Sequence, residues 1–517
     1  MRRFTLIAFT LLLLAASATG QEKRRVFDWA ELSNPAALSF LKDKALSQAD
    51  LSFRKENGGL IPIEGSPDAW SAGAGAQAFH RVSDKLAFHG RIDYSYFRGQ
   101  QMGGQILMNP AYNPVNFLEE DLSTRGTKKR ETYSLSGSAA YTLSPKVALG
   151  IAFDYTSADQ VKYKDPRFKN VWMDLTVRPG MLLHLGESFS LGANLEYRHT
   201  LESLSAGNFG TVEENYYILV DRGNFYGSRE IFNGDAGYVS TSNTRPLSNS
   251  FFGLSLQALG GGFTAQLTGL YRTGYYGSRT STSVVFCEWN GPEAALKGSY
   301  KLAAGKNIHR FGLDASFSLL SNYTNSYKYD IRPGMSSVII YTAQTKTHTR
   351  MHLDGALSYR FEGRTDGYLP AWEASAVVGG RFKLQDTRIH PFSRNWTSTV
   401  IDVQLSGGRN LQRGRDIYSC ALQACFLTGF GEPRKDSMAS GGQTTLRSFD
   451  NYSNRQFEYE TAARAGAGVE LKYTRLVSGN FIPYVKLSDS FCHLLSAPQY
   501  LDGVGRNVAV ITLGCQF

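Results

Sequence analysis

The chain has little that would anchor it as a helical membrane protein. After its first 20 residues, no stretch of about 18 residues is apolar and free of charge. Helical spans are excluded; strands are not. Cysteine is scarce, five in 517 residues, and odd in number. Cys420 and Cys425 stand five apart and so face opposite sides of a strand, while Cys287, Cys492 and Cys515 are scattered, which excludes a disulfide framework. Nucleophile and metalloprotease signatures are missing: there is no Gly-x-Ser-x-Gly and no His-Glu-x-x-His. Asp386 and His390 are an isolated pair. His348 and His352, four apart on one strand face, lie about 13 Å apart by strand rise, too far to share an ion. No catalytic residue, metal or cofactor is therefore expected. The formal charge of +10 is dispersed in short clusters such as Thr127–Glu131. On an exported chain that suits solvated loops and anionic lipid headgroups, and a nucleic-acid partner is not expected.

What is present begins with a secretory leader over residues 1–20: Arg2 and Arg3, an apolar run from Phe4 to Leu14, and small residues Ala18 and Gly20 at its end. No cysteine follows that run, so a lipoprotein anchor is not expected. The mature chain is rich in glycine (52), tyrosine (28) and phenylalanine (31), a composition that suits strands and turns.

Strict alternation then dominates. In Val147–Ser157, Val147, Leu149, Ile151, Phe153 and Tyr155 share one face, while Ala148, Gly150, Ala152, Asp154 and Thr156 share the other. Stretches around Phe263, Phe311, Leu353 and Val377 behave alike. Segments of about ten residues with one apolar and one small, polar or charged face predict a transmembrane antiparallel β-barrel. Aromatics at strand ends, such as Tyr133, Tyr141, Tyr155, Tyr271 and Tyr359, read as interfacial girdles. Short turns, as at Ser144–Lys146 and Gly260–Gly262, alternate with long stretches near 55–68, 98–130, 202–248, 324–346, 385–397 and 430–455. Counting from Ala45 gives eighteen strands, with sixteen or fourteen left open, short periplasmic turns and long extracellular loops. The expected organisation is a leader (1–20), an N-terminal segment (21–45) and a barrel (46–517) in the bacterial outer membrane.

The last strand, Asn507–Phe517, ends in an aromatic and resembles the signal read by the barrel-assembly machinery, an expected partner together with outer-membrane lipid. The N-terminal stretch "SNPAAL", just ahead of the first strand, resembles the long-chain fatty-acid transporter superfamily and the type IX secretion barrels. In style the chain resembles a Bacteroidota outer-membrane barrel family of unassigned function. That resemblance implies that the N-terminal segment folds into the lumen as a small hatch. The TonB-dependent receptor class is set aside because only residues 21–44 precede the first strand, too few for its plug domain.

Three groups of candidate residues follow. Asn34, Pro35, Ala36 and Leu38 would form the hatch, with Ser33 or Asn34 capping a short helix and Pro35 in its first turn. Arg91, Asp93, Asp154, Glu196, Arg198, Arg310, Asp314, Arg350, Asp354, Arg381, Arg464 and Glu470 fall on the polar face and would line a hydrated lumen of mixed charge. Tyr216, Tyr217, Tyr226 and Tyr238, in the longest loop, would form a packed lid or a surface for recognising a ligand or protein. The expected function is a passive channel or transporter for a small, amphipathic solute. The alternative is a non-conducting barrel that docks a surface or secreted protein through its long loops.

Overall fold

The computed structural model describes residues 32–41, 45–109, 113–120, 122–186, 188–207, 216–232, 245–279, 283–330, 338–365, 368–477 and 481–517. The leader, the start of the N-terminal segment and Tyr238 lie outside them.

Strands follow one another along nearly the whole chain. They are β1 (Ala45–Asn57), β2 (Asp68–Arg81), β3 (Leu86–Met102), β4 (Asn116–Glu119), β5 (Gly126–Ser144), β6 (Val147–Lys162) and β7 (Arg167–His184). Next come β8 (Phe189–Gly207), β9 (Tyr217–Asp221), β10 (Tyr226–Ile231), β11 (Leu247–Gly260), β12 (Phe263–Gly277), β13 (Val285–Ala304) and β14 (Asn307–Asp330). The series ends with β15 (Val338–Gly363), β16 (Trp372–Ile389), β17 (Phe392–Arg413), β18 (Asp416–Met438), β19 (Arg447–Ser448), β20 (Arg464–Arg475), β21 (Ile482–Leu494) and β22 (Gly505–Gln516). Four of these, β4, β9, β10 and β19, form a separate small sheet; the other eighteen form one antiparallel sheet. β1 pairs with β2 on one side and with β22 on the other, Leu51 opposite Leu513, so the large sheet closes into a barrel.

Alternation explains the wall. On β6, Leu149, Ile151, Phe153 and Tyr155 are exposed on the outside while Ala148 and Ala152 are buried inside. The same exposed apolar face recurs around the barrel, from Leu51 and Phe53 through Leu195, Leu267, Leu357 and Leu422 to Leu513. A continuous apolar belt of this size on the outside of a closed sheet is stable only in lipid. Tyrosines edge it, with Tyr94 against Tyr133 and Tyr418 against Tyr473. The protein is an outer-membrane β-barrel.

Strand ends depart from the sequence reading. Within the stretches 324–346 and 385–397, expected as loops, the described residues are largely paired strand: β14 runs on to Asp330, β15 starts at Val338, and β16 turns tightly into β17 between Ile389 and Phe392. Above the membrane both strand faces are wet. The hydrophobic alternation therefore fades while the backbone ladder persists.

Candidate functional site

Residues Pro35–Phe40 form a 3₁₀ turn inside the barrel, pressed on the inner wall near its periplasmic end. Asn34 caps it, its Oδ1 accepting from the Ala36 N–H at 3.0 Å. Its Nδ2 meanwhile donates to the wall: to the Met181 carbonyl (2.8 Å), the Ala193 carbonyl (3.2 Å) and Gln257 Oε1 (3.0 Å). Ser33 adds bonds to Gln266 and Asn194. Below the polar cap, Ala36 and Ala37 pack on Ala148, Leu182 and Leu259, while Leu38 and Leu41 pack on Leu46, Phe79 and Ala140. Glycines make the seat. A Cβ on Gly150 would stand 2.3 Å from the Ala36 nitrogen, and one on Gly180 2.3 Å from Asn34 Oδ1.

The segment thus lies against the part of the wall that runs from β1 through β8 to β11 and β12. Beside it the lumen holds a cavity of about 460 Å³ that touches Leu32 and is walled by β12 to β20. Its inward side chains include Lys297, Lys301, Arg310, Arg360 and Lys472 against Asp314, Glu373 and Glu470. Many are paired across neighbouring strands: Lys297 with Asp314 at 3.5 Å, Arg360 with Glu373 at 3.3 Å, and Lys486 with Glu470 at 3.8 Å. Arg310 lies 3.7 Å from the buried Glu362.

The remaining lumen candidates also sit on the inner face. Arg91 and Asp93 pair with each other at 2.6 Å on β3, Asp154 with Arg178, and Arg198 with Asp174 at 2.9 Å. Glu196 shares the inner face of β8 with Arg198. Asp354 and Arg381 stand opposite one another between β15 and β16. Arg350, opposite Gln385, lies two inward pairs higher, at the extracellular half, and Arg464 stacks over Tyr459 at 5.0 Å. Asp386, by contrast, pairs with its neighbour Arg388.

The extracellular half is filled by a lid. The small sheet, in the order β19-β10-β9-β4, folds into the mouth with the helix Asp450–Thr461. One side of it is apolar. Ile106, Val115, Phe117, Ile218, Val220 and Phe232 pack on inward residues of the wall, among them Phe168, Leu204, Tyr276, Trp289 and Leu320. Ion pairs fasten it as well: Glu119 on β4 is fully buried against Lys162, with Lys128 3.9 Å away. Arg394 on β17, also buried, donates to the Asn224 carbonyl at 3.0 Å and to Asp436 at 2.7 Å. From the helix, the Tyr452 hydroxyl donates to the Glu119 carbonyl at 2.6 Å, and Arg455 pairs with Asp502 at 2.8 Å.

Of the lid tyrosines, Tyr226 is 2 % exposed and stacks on Phe392 at 3.6 Å, so it holds the lid down and is not available on the surface. Tyr217 is half-buried beneath the Arg229 guanidinium, and Tyr216 packs against the apolar core of the lid. The lid's anchors, Glu119, Lys162 and Arg394, escaped the sequence reading. A signal was there: "YYILVD" and "VNFL" are apolar, strand-prone runs inside otherwise polar loops, and such runs need burial.

A family model matches residues 35–517, from the first residue of the lumenal turn to the terminal aromatic. The chain belongs to DUF6850, a family of unknown function. No protein of curated function matches the sequence. Among solved structures, it is similar to BauA, the ferric preacinetobactin receptor from Acinetobacter baumannii, at 10% identity and a TM-score of 0.40, over 92% of this chain and 80% of that one. It is also similar to the ferric citrate transporter FecA in its unliganded form (9% identity, TM-score 0.38, 90% and 78% covered). A third is the TodX deltaS2S3 mutant monoaromatic hydrocarbon channel (11% identity, TM-score 0.30, 94% and 93% covered). Likenesses this distant carry no argument about what this DUF6850 barrel handles.

Proposed function

We propose that this DUF6850 protein is a gated outer-membrane conduit for passive movement of a small hydrophilic solute. The observation that carries this reading is the charged cavity in the periplasmic half, bounded beside Leu32 by a docked N-terminal segment and sealed above by a packed lid. Apolar cargo is disfavoured. The amphipathic solute expected from the sequence would face mainly ion pairs on the inward side of the cavity, where Leu32, Val377 and Ala421 add small apolar contacts and Tyr300, Phe311 and Tyr359 border it. Six basic residues, Arg409 among them, against three acidic ones on its walls favour anions weakly.

Such a barrel should conduct little in planar bilayers as isolated. Deleting residues 31–41 should raise its conductance, and deleting the lid hairpin Tyr217–Ile231 as well should raise it further. If the doubly deleted barrel inserts and still does not conduct, the conduit reading fails. That result would favour the docking reading, for which the exposed Tyr329, Val338, Ile340 and Tyr341 on the β14–β15 hairpin supply a surface.

A further inference from the structure

The lid has a second side, and it differs from the first. Where it faces β15, β16 and β17 it leaves a chamber of about 120 Å³. The wall contributes Arg350, Lys383, Gln385 and Trp396, the β1–β2 loop contributes Glu64, and the lid contributes Asn116, Asn224 and Gln456. Polar atoms in this chamber have no partner: Glu64 Oε1, Asn224 Oδ1 and the Trp396 indole N–H. Asn224 and Trp396 are 4 % and 2 % exposed. A buried donor or acceptor left unpaired costs about 1–3 kcal/mol in general, so a chamber that keeps several of them is shaped for something that pairs with them. The backbone supports the same placement. Asn224 and Phe225 sit at the tip of the β9–β10 hairpin with φ of 54° and 57°, a region phenylalanine rarely enters. Arg394 holds both carbonyls there, at 3.0 and 3.4 Å.

The chemistry of the lining selects among ligands. Lys383 is already neutralised by Glu460 at 2.6 Å, so the chamber offers no naked cation cluster for an anion. Asn224 Oδ1 and the Gln385 amide offer an acceptor and a donor, as does a hydroxyl, whereas the Asn116 amide is already paired with Gln105 and the Gln456 amide N–H with Glu460. Ile63, Pro114 and Phe225 add an apolar patch suited to C–H groups. We infer that this chamber is a binding site for a neutral polyhydroxylated solute of the size of a sugar unit, held between lid and wall on the polar side of the lid. This deepens the conduit reading and rests on it, since it names the class of solute that the conduit takes.

The test uses the full-length barrel in detergent, with glucose, galactose, mannose and N-acetylglucosamine as probes and sodium phosphate and choline chloride as charged comparators. At about 100 mM, a Kd of about 10 mM nearly saturates the site and raises Tm by about 1 °C in a chain of this length. At least one neutral sugar should do so, and the shift should vanish in Asn224→Gly, which keeps the positive φ, in Glu64→Gln and in Trp396→Phe. A variant that fails to fold is set aside, and the other two decide. The inference is overturned if no sugar shifts Tm, if the shift survives the folded variants, or if a charged comparator gives the variant-sensitive shift instead. Bilayer conductance separates the two readings. Conductance of the deleted barrel without sugar binding removes only the chamber; sugar binding without conductance removes the conduit and leaves the chamber standing.

Discussion

Gly150→Ala tests the N-terminal segment without touching it. The new methyl would stand 2.3 Å from the Ala36 nitrogen and 2.5 Å from the Pro35 carbonyl carbon. Both are backbone atoms of the docked turn, so the turn must move. Five hydrogen bonds from Ser33 and Asn34 to the wall, at about 1 kcal/mol each, contribute about 5 kcal/mol. Burial of Leu38, Leu41 and the two alanines contributes about 5 kcal/mol more. Ordering the ten residues 32–41 costs about 10 kcal/mol at the low end of the backbone scale. Docking is therefore marginal, and the overpacking cost of about 1–3 kcal/mol shifts the docked population roughly 5- to 150-fold. The readouts are cleavage within residues 32–41 by an added protease and single-barrel conductance, both of which should rise in Gly150→Ala. A variant barrel with unchanged protection and unchanged conductance would refute the reasoning, because the methyl has nowhere else to go.

Other expectations concern the lid and the cavity. Glu119→Gln leaves Lys162 and Lys128 buried without their carboxylate, a loss of about 3–5 kcal/mol; trypsin should cut residues 113–128 faster than in the wild type at equal temperature. Burial pushes the Asp221 carboxyl, on the lid, up to about 7, although the Gly223 N–H and Arg394 oppose this. The folded lid therefore holds a proton that an exposed aspartate releases near 3.8, and lid stability should fall as pH rises from about 4 to 7. Proteolysis of the lid should be slower at pH 5.5 than at pH 8, with the difference reduced in Asp221→Asn; an equal pH effect in the variant would sink the assignment. In a barrel lacking residues 31–41, Lys297→Glu with Lys301→Glu should move the reversal potential toward cation preference, measured under a salt gradient.

The wall was legible because each strand solves the same local problem. Lipid outside and water inside impose a period of two on the sequence, and Leu149 to Tyr155 show it without reference to any other strand. The inward candidates follow from the same parity, which is why Arg198, Asp314 and Glu470 can be placed by counting. The lid was not legible, since its core joins Ile106, Phe117, Ile218, Phe232 and Trp289 across some 180 positions with no shared period. Tyr226 reads as either a lid residue or a surface aromatic for the same reason: nothing near it in sequence announces Phe392.

The two unlike sides of the lid decide how a closed barrel of this kind could open. Undocking the apolar side would expose the buried core that runs from Ile106 to Leu320, at a cost of about 1.5–3 kcal/mol for each large side chain, far beyond thermal reach. The opposite side, along β15 to β17, is joined by Lys383–Glu460, by Arg394 and by amides whose bonds water or a hydroxylated solute can replace. Free energy for opening is therefore lowest on the side where the chamber lies. A solute that satisfies Glu64, Asn224 and Trp396 there would pair with groups that have no other partner and would tie that edge to the wall. Binding would then favour the closed lid, and opening would begin at this edge once the solute leaves, with the lid swinging on its apolar side.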